Sequence, residues 1–223
     1  MSICIIGGSS SVGHELIRQA EKLHETIIAT YHKKHFNTQA ELVHLNLLNT
    51  DQIRAFQPQD VHHLIFAQGI LPGKTLGEYE HKTIEETIAI NLTSTLQILN
   101  NLIINQCFVN PALITFVASI AAVQGSYDTA YATSKSGHIG CAMSIAKHHA
   151  PRLRANVICP GLIKDSGMYN SMSIDDQMRH IDQTPTKQLT TVEHLAEIIL
   201  KLDNECFSNL NGAVINLNGG RFA

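Results

Sequence analysis

The chain opens with Ser2-Ile3-Cys4-Ile5-Ile6-Gly7-Gly8-Ser9-Ser10-Ser11-Val12-Gly13, then carries Leu16, Ile17, Ala20 and Leu23 at helical spacing. Ser2 to Ile6 is a short, mostly apolar, β-branched run, which predicts a buried strand. The glycine-serine stretch predicts a turn, and the apolar spacing after it a helix. Strand, glycine turn and helix start in this order make a phosphate cradle. Glycines let the backbone approach a pyrophosphate, and the free N–H groups of the first helical turn point at it. A plain strand-to-helix turn capped by serine uses the same residues. The usual dinucleotide fingerprint has three glycines; Gly7 and Gly13 are present here and Ser11 holds the middle place.

Outward from this turn, strand and helix patterns alternate. Thr26 to Thr30, Glu41 to Leu45, Val61 to Ala67, Ala112 to Ala118, Leu153 to Ile158 and Ala213 to Leu217 read as further strands. A short helix follows Asn49 or Thr50 as cap. A long one runs from Thr83 to about Cys107, with Ile84, Ile88, Leu92, Leu96, Leu99, Leu102 and Ile103 at three- and four-residue steps. Another carries Tyr131 to about His149 and is stopped by Pro151. A third spans Thr191 to Leu202, capped by Thr190 or Thr191. Leu71 to Tyr79 and Gly125 to Thr129 read as loops. After Cys159-Pro160-Gly161, a polar, Met-rich segment contains a short helix around Asp175 to Ile181. A long segment beyond a sheet's carboxyl edge is a lid candidate, here about residues 162–187. No repeat, linker or low-complexity segment interrupts the pattern, so residues 1–223 are expected to form one α/β domain.

Composition narrows the function classes. The 223 residues are 44% hydrophobic and 16% charged, a globular balance. A net charge of -3 without Lys/Arg runs speaks against nucleic acid as a partner. No long uncharged apolar segment suited to a membrane span, and no basic leader before Ile3, is read from the sequence. Cys4, Cys107, Cys141, Cys159 and Cys206 lie far apart without CxxC, which predicts reduced, buried thiols and a cytoplasmic address. The 13 histidines show no metal-ligand spacing, so no metal is expected.

The chemistry-bearing candidates lie elsewhere. Tyr131 and Lys135 are four apart, so a helix places them on one face. A nearby ammonium stabilises a phenolate and lowers its pKa, making the pair a tuned acid or base. The same spacing also marks plain solvated helix faces. Ser119 stands at the carboxyl end of the fifth strand, where ligand crevices of open parallel sheets lie. Asn91 sits inside the long helix, facing solvent or, in the sharper reading, a wet active site. The second strand is followed by Tyr31-His32-Lys33-Lys34 with no acidic residue for ribose hydroxyls. That basic run suits a 2′-phosphate and favours NADP(H) over NAD(H).

Taken together, the order and spacing resemble the short-chain dehydrogenase/reductase family along essentially the full length. The resemblance rests on the turn at residues 7–13, Ile90-Asn91-Leu92, Ser119, Tyr131xxxLys135, Pro160-Gly161 and Asn216-Leu217-Asn218-Gly219-Gly220. It implies a Rossmann-type, doubly wound, seven-stranded parallel sheet with helices on both faces. By the same resemblance Tyr131 is the general acid or base and Ser119 polarises the substrate carbonyl. Lys135 lowers the tyrosine pKa and binds the nicotinamide ribose, and Asn91 holds a relay water. The implied cofactor contacts are Gly7, Ser9, Ser10, Ser11, Val12, Gly13, Tyr31, His32, Lys33, Asn46, Leu47, Ala67, Gln68, Gly69, Pro160, Gly161 and Ile163, besides Tyr131 and Lys135. A homodimer or homotetramer and a small carbonyl or alcohol substrate are implied as well.

The chain departs from the family pattern in places. Ile6 replaces a threonine, Phe66-Ala67-Gln68-Gly69 replaces Asn-Asn-Ala-Gly, and Asn46 replaces an aspartate. Asp165 stands for the threonine that follows Pro-Gly, unless a one-residue shift brings Ser166 there. The expected function is an NADP(H)-dependent carbonyl reductase or alcohol dehydrogenase. The alternative is a dinucleotide-binding sensor that kept the fold and lost turnover. An epimerase of the extended branch would need more chain than this for its substrate domain.

Overall fold

The computed structural model describes residues 1–23, 26–33 and 35–222. Seven parallel strands form one sheet: β1 (Ser2–Ile6), β2 (Thr26–Tyr31), β3 (Glu41–His44), β4 (Val61–Phe66), β5 (Phe108–Val117), β6 (Leu153–Pro160) and β7 (Val214–Leu217). Their order across the sheet is β3-β2-β1-β4-β5-β6-β7. The chain winds one way from β1 to β3 and the other way from β4 to β7. That reversal leaves a crevice beyond the carboxyl ends of β1 and β4.

Period-two alternation sorts the strand residues onto two cores. Ile3 and Ile5 of β1 face one core with Leu113 and Ile158, packed under α1 (Ser11–Lys22) and a C-terminal helix, Val192–Lys201. Cys4 and Ile6 face the other with Leu64, Phe66, Ile114 and Phe116. That second face is covered by two helical segments, Ser94–Ile104 and Thr129–His148, through Ile98, Leu102, Ala142 and Ile145. Fully burying each such Leu or Ile stabilises the fold by about 1.5–3 kcal/mol. Helices therefore lie on both faces, as expected.

The remaining helices are α2 (Thr50–Ala55), α3 (His81–Ile88), α4 (Ser94–Ile104), α5 (Ala121–Gln124), α6 (Thr129–His148), α7 (Gly167–Ser171), α8 (Ile174–Asp182) and α9 (Val192–Lys201). The sequence reading left out α5 and α7. Asn49 and Thr191 are the caps of α2 and α9, accepting from the N–H groups of Gln52 and His194. The long helix expected from Thr83 spans His81–Ile104 instead, with a π turn at Ala89–Thr93 between α3 and α4. It ends before Cys107 because Gln106 adopts φ 54, so that Cys107 N–H donates to Leu102 O at 3.0 Å. Contrary to the reading that no such segment exists, the helix His81–Ile104 contains an 18-residue window of mean hydropathy 1.3 and is, by length and composition alone, long and apolar enough to cross a membrane. Much of its apolar character is spent on the sheet, where Ile98 and Leu102 are fully buried. Cys4, Cys107 and Cys159 are buried thiols, but Cys206 is exposed and Cys141 half-buried.

Candidate active site at the carboxyl edge of the sheet

Helix α6 brings the central pair to the crevice. Its N-cap is Asp128, whose carboxylate accepts from Tyr131 N–H at 2.9 Å. The same buried carboxylate accepts from the Tyr79 hydroxyl at 2.6 Å and the Gly73 N–H at 2.7 Å. One side chain thus starts the helix and pins the loop after β4 beside it. Asp128 escaped the sequence reading, although an Asp three residues before Tyr131 is an N-cap signal.

One turn into α6, Lys135 is only 4% exposed and its Nζ donates to the carbonyls of Val117 at 2.8 Å and Gln68 at 3.1 Å. Those carbonyls close the ends of β5 and β4, so the ammonium clamps the floor of the crevice. Burial pulls its pKa down to about 8. An ammonium has three N–H donors, which leaves one for the cavity that Lys135 lines. The expected lowering of the Tyr131 phenol by Lys135 is not found. Burial raises the Tyr131 pKa above its ordinary value, opposed by a hydrogen bond with Ser119, while Asp128 and Cys159 add to the rise. Tyr131 therefore stays protonated at neutral pH. Ser119 follows β5 and its Oγ also accepts from Ala121 N–H at 3.1 Å.

Asn91 lies at the π turn and is fully buried. The turn aims its amide inward rather than at solvent or a wet cleft. Oδ1 accepts from Ile70 N–H at 2.8 Å, and Nδ2 donates to Ile70 O and Ser134 Oγ, both at 3.0 Å. Its backbone carbonyl accepts from His138 Nε2 at 2.8 Å. Asn91 thus ties the loop after β4 to α6 from behind the cavity. Gln68 Nε2 donates to Thr95 Oγ1 at 2.9 Å, beside the same turn.

The turn at residues 7–13 is shaped by close approach. A Cβ on Gly13 would lie 2.3 Å from Gly7 O, and one on Gly7, at φ +90, would lie 2.7 Å from Gln68 N. Ser10 caps α1, accepting from Gly13 N–H at 2.9 Å. Ser11 Oγ accepts from Gly167 N–H at 3.1 Å, linking the turn to α7. A cavity of about 740 Å³ joins these parts. Its wall includes Ser9, Ser10, Ser11 and Val12, then Ala67, Gln68 and Gly69, with Ser119, Tyr131, Lys135, Pro160, Gly161 and Ile163. Of the two candidates after Pro160-Gly161, Ser166 lines it and Asp165 does not.

Other expected contacts lie outside this wall. Gly7 and Gly13 shape the turn from behind. Tyr31, His32 and Lys33 stand at the end of β2, the last two exposed, grouped with His44 by ring centroids 5.5 Å and 5.9 Å apart. Lys34 lies outside the described residues. Asn46 Oδ1 accepts from Leu48 N–H, and Leu47 packs against the core. Among the described residues, no group of three or more His, Cys, Asp or Glu is placed to hold a metal ion.

Residues 10–221 match the family described as enoyl-(acyl carrier protein) reductase. The chain belongs to the short-chain dehydrogenase/reductase family. Relatives include the 3-oxoacyl-[acyl-carrier-protein] reductase FabG of Aquifex aeolicus, 28% identical over 84% of this chain and 78% of that protein. The corresponding reductase MabA of Mycobacterium bovis is 25% identical over 98% of this chain and 92% of that one. Among solved structures, a short-chain dehydrogenase/reductase from Brucella melitensis superposes with TM-score 0.90 at 19% identity, covering 100% of this chain and 96% of that one. Aldohexose dehydrogenase from Thermoplasma acidophilum gives 0.88 at 19% identity, over 99% and 93%. These likenesses carry the fold.

This short-chain dehydrogenase/reductase is an NAD(P)-dependent oxidoreductase by family. Its residues fit the cofactor on structural grounds. Gly7 and Gly13 stand where a Cβ would collide with the turn, and the first-turn N–H groups of α1 have no intrahelical acceptor. Among the described residues no carboxylate lines the cavity, whereas Lys135 does. Among the lining residues that the sequence reading did not name as candidates are His180 of α8 and Arg221 after β7. No motif flags either.

Proposed function

We propose that this protein is an NADP(H)-dependent carbonyl reductase acting on a small molecule. The observation that carries the reading is one cavity shared by the serine-lined turn, Tyr131, Ser119 and Lys135. Ser9, Ser11 and Val12 would hold the pyrophosphate at the start of α1. Tyr131 and Lys135 would meet the nicotinamide ribose, and Gly161 and Ile163 the carboxamide end. His32 and Lys33 favour a 2′-phosphate over a free hydroxyl. When bound, the nicotinamide supplies a hydride to the carbonyl carbon.

The chain's own groups manage the proton. Ser119 donates a hydrogen bond to the carbonyl oxygen and polarises it. The Tyr131 hydroxyl, kept protonated by burial, gives its proton to that oxygen as the carbonyl becomes an alcohol. Lys135 would hold the nicotinamide ribose with its remaining donor, and its bonds to Val117 O and Gln68 O keep it in place. A phenol held above its ordinary pKa is an acid at neutral pH, which favours reduction over alcohol oxidation. Leu96, Ile104 and Met143 leave exposed apolar surface on α4 and α6, consistent with a homodimer or homotetramer, and a cytoplasmic address fits the unpaired thiols.

The test is an NADPH fluorescence titration followed by absorbance assays with a carbonyl panel. Wild type should oxidise NADPH with some carbonyl, and Tyr131→Phe should lose about 10²–10⁴-fold in kcat while still binding NADPH. Tight binding with no turnover, unchanged in Tyr131→Phe, would leave the sensor reading standing.

A further inference from the structure

Arg221 is a charged wall residue that the proposed proton transfer does not use. β7 is the last strand of the sheet, beside β6 and far from β1 in the strand order, and Arg221 follows it. It lines the same cavity as the glycine turn, from a different part of the chain. Its Nη1 donates to His180 Nδ1 at 2.6 Å and its Nη2 to Gln183 Oε1. Both partners are neutral acceptors. Burial, with Arg221 and Arg179 nearby, holds the His180 pKa below its ordinary value, so its imidazole accepts rather than competes in charge. Among the described residues Arg221 meets no carboxylate, and none lines the cavity.

A guanidinium offers five N–H donors in a planar fork, and only two are engaged. A part-buried cation with neutral partners and free donors is a receptor for an oxyanion, with which its hydrogen bonds are shorter and stronger. Lys135 cannot take this part, since two of its donors are held at the floor and the reductase reading gives the third to the nicotinamide ribose. Met168 and Met172 line the cavity too, so the space between anchor and reacting centre includes apolar surface.

We propose that Arg221 anchors an anionic group, carboxylate or phosphate, carried on the same molecule as the reacting carbonyl. This rests on the reductase reading and names the substrate class for that site. A neutral substrate would leave the fork unanswered.

Matched pairs test it: pyruvate, acetoacetate and levulinate against their methyl esters, and dihydroxyacetone phosphate against dihydroxyacetone, each with NADPH. For at least one pair, wild type should favour the anion in kcat/KM by about tenfold or more. Arg221→Ala should lower kcat/KM for the anion by about tenfold more than for its neutral partner, abolishing the preference, and Arg221→Lys should keep part of it. The pair that responds tells carboxylate from phosphate. Gln183→Ala removes a strut but keeps the fork, and should retain the preference. Equal use of anion and neutral partner by wild type in every pair overturns the inference, as does an equal loss for both in Arg221→Ala.

Should no carbonyl turn over, the reductase reading fails separately. Calorimetry with the same anions, with and without NADPH, then decides the anchor. Binding lost in Arg221→Ala upholds it, and no binding of any anion to wild type overturns it.

Discussion

The two walls of the cavity are built differently. On the side of β1 and β4, backbone meets backbone: Gly13 touches Gly7, Gly7 touches Gln68, and Lys135, Asn91 and Gln68 have their polar groups largely committed inside the protein. On the side of α7 and α8, neither helix has a single buried residue. Met168 and Ile174 are 40% and 73% exposed. Lys135 stands on the closed wall, where packing fixes its geometry, while Met168, Met172 and His180 line the cavity from the open one. Local opening costs least where few apolar contacts are made, so the open wall is the part suited to act as a lid.

Four perturbations break or sharpen this contrast. The largest effect is expected from Gly13→Ala. Its Cβ meets backbone at 2.3–2.8 Å, which no rotamer change relieves, so destabilisation of about 3 kcal/mol or more, or insoluble protein, should result. A near-normal urea midpoint would show that the turn yields.

Acid should come next. His63 and His138 are fully buried and burial lowers each pKa from 6.5 to about 3. Between those values the unfolded chain takes up protons that the folded chain refuses. Stability should therefore fall as pH drops below about 6.5, by roughly 1.4 kcal/mol per pH unit for each histidine. Urea midpoints near about pH 7 and about pH 5 measure it, and a His63→Val/His138→Leu protein should show a shallower slope.

Base should act in two opposite ways through Lys135. Its folded pKa, about 8, lies below the ordinary 10.5, so the folded protein loses this proton first. Its contribution to stability should rise as pH climbs between those values, by about 3 kcal/mol at most. NADPH affinity should meanwhile weaken above about 8 as the charge is lost. Comparing wild type with Lys135→Met, in melting temperature and in NADPH titration, separates the two trends. Parallel trends would mean that the ammonium is not the group titrating.

The smallest effect on stability belongs to the open wall. Met168→Ser should change the unfolding free energy by no more than about 0.5 kcal/mol, yet shift KM for a carbonyl substrate. A cooperative loss of stability there would mean that α7 is part of the core.

Much of this was legible in the sequence because it is periodic or local. Alternation along the strands places Ile3 and Ile5 on one core and Cys4 and Ile6 on the other. Glycine spacing marks the turn, and the four-residue step aligns Tyr131 with Lys135. The gaps share a different origin. The π turn at Ala89–Thr93 leaves no trace in an apolar pattern that runs on through it. Asn91 read as a solvent-facing or wet amide because its partner, the Ile70 backbone, belongs to a loop outside the helix. The direction of the Tyr131 shift was missed because a neighbouring ammonium is visible in sequence and desolvation is not.

The sequence by itself determined the main strand and helix order, the doubly wound parallel sheet, the family, and the candidates for its chemistry, since spacing and residue type suffice for these. Only the tertiary structure decided that Lys135 is spent on two carbonyls, that Asp128 pins a loop to the start of α6, and that Arg221 enters the cavity. Each of those depends on how far burial and long-range approach bring groups together, and the strength of a charge or a hydrogen bond is set by that surrounding, not by its neighbours along the chain.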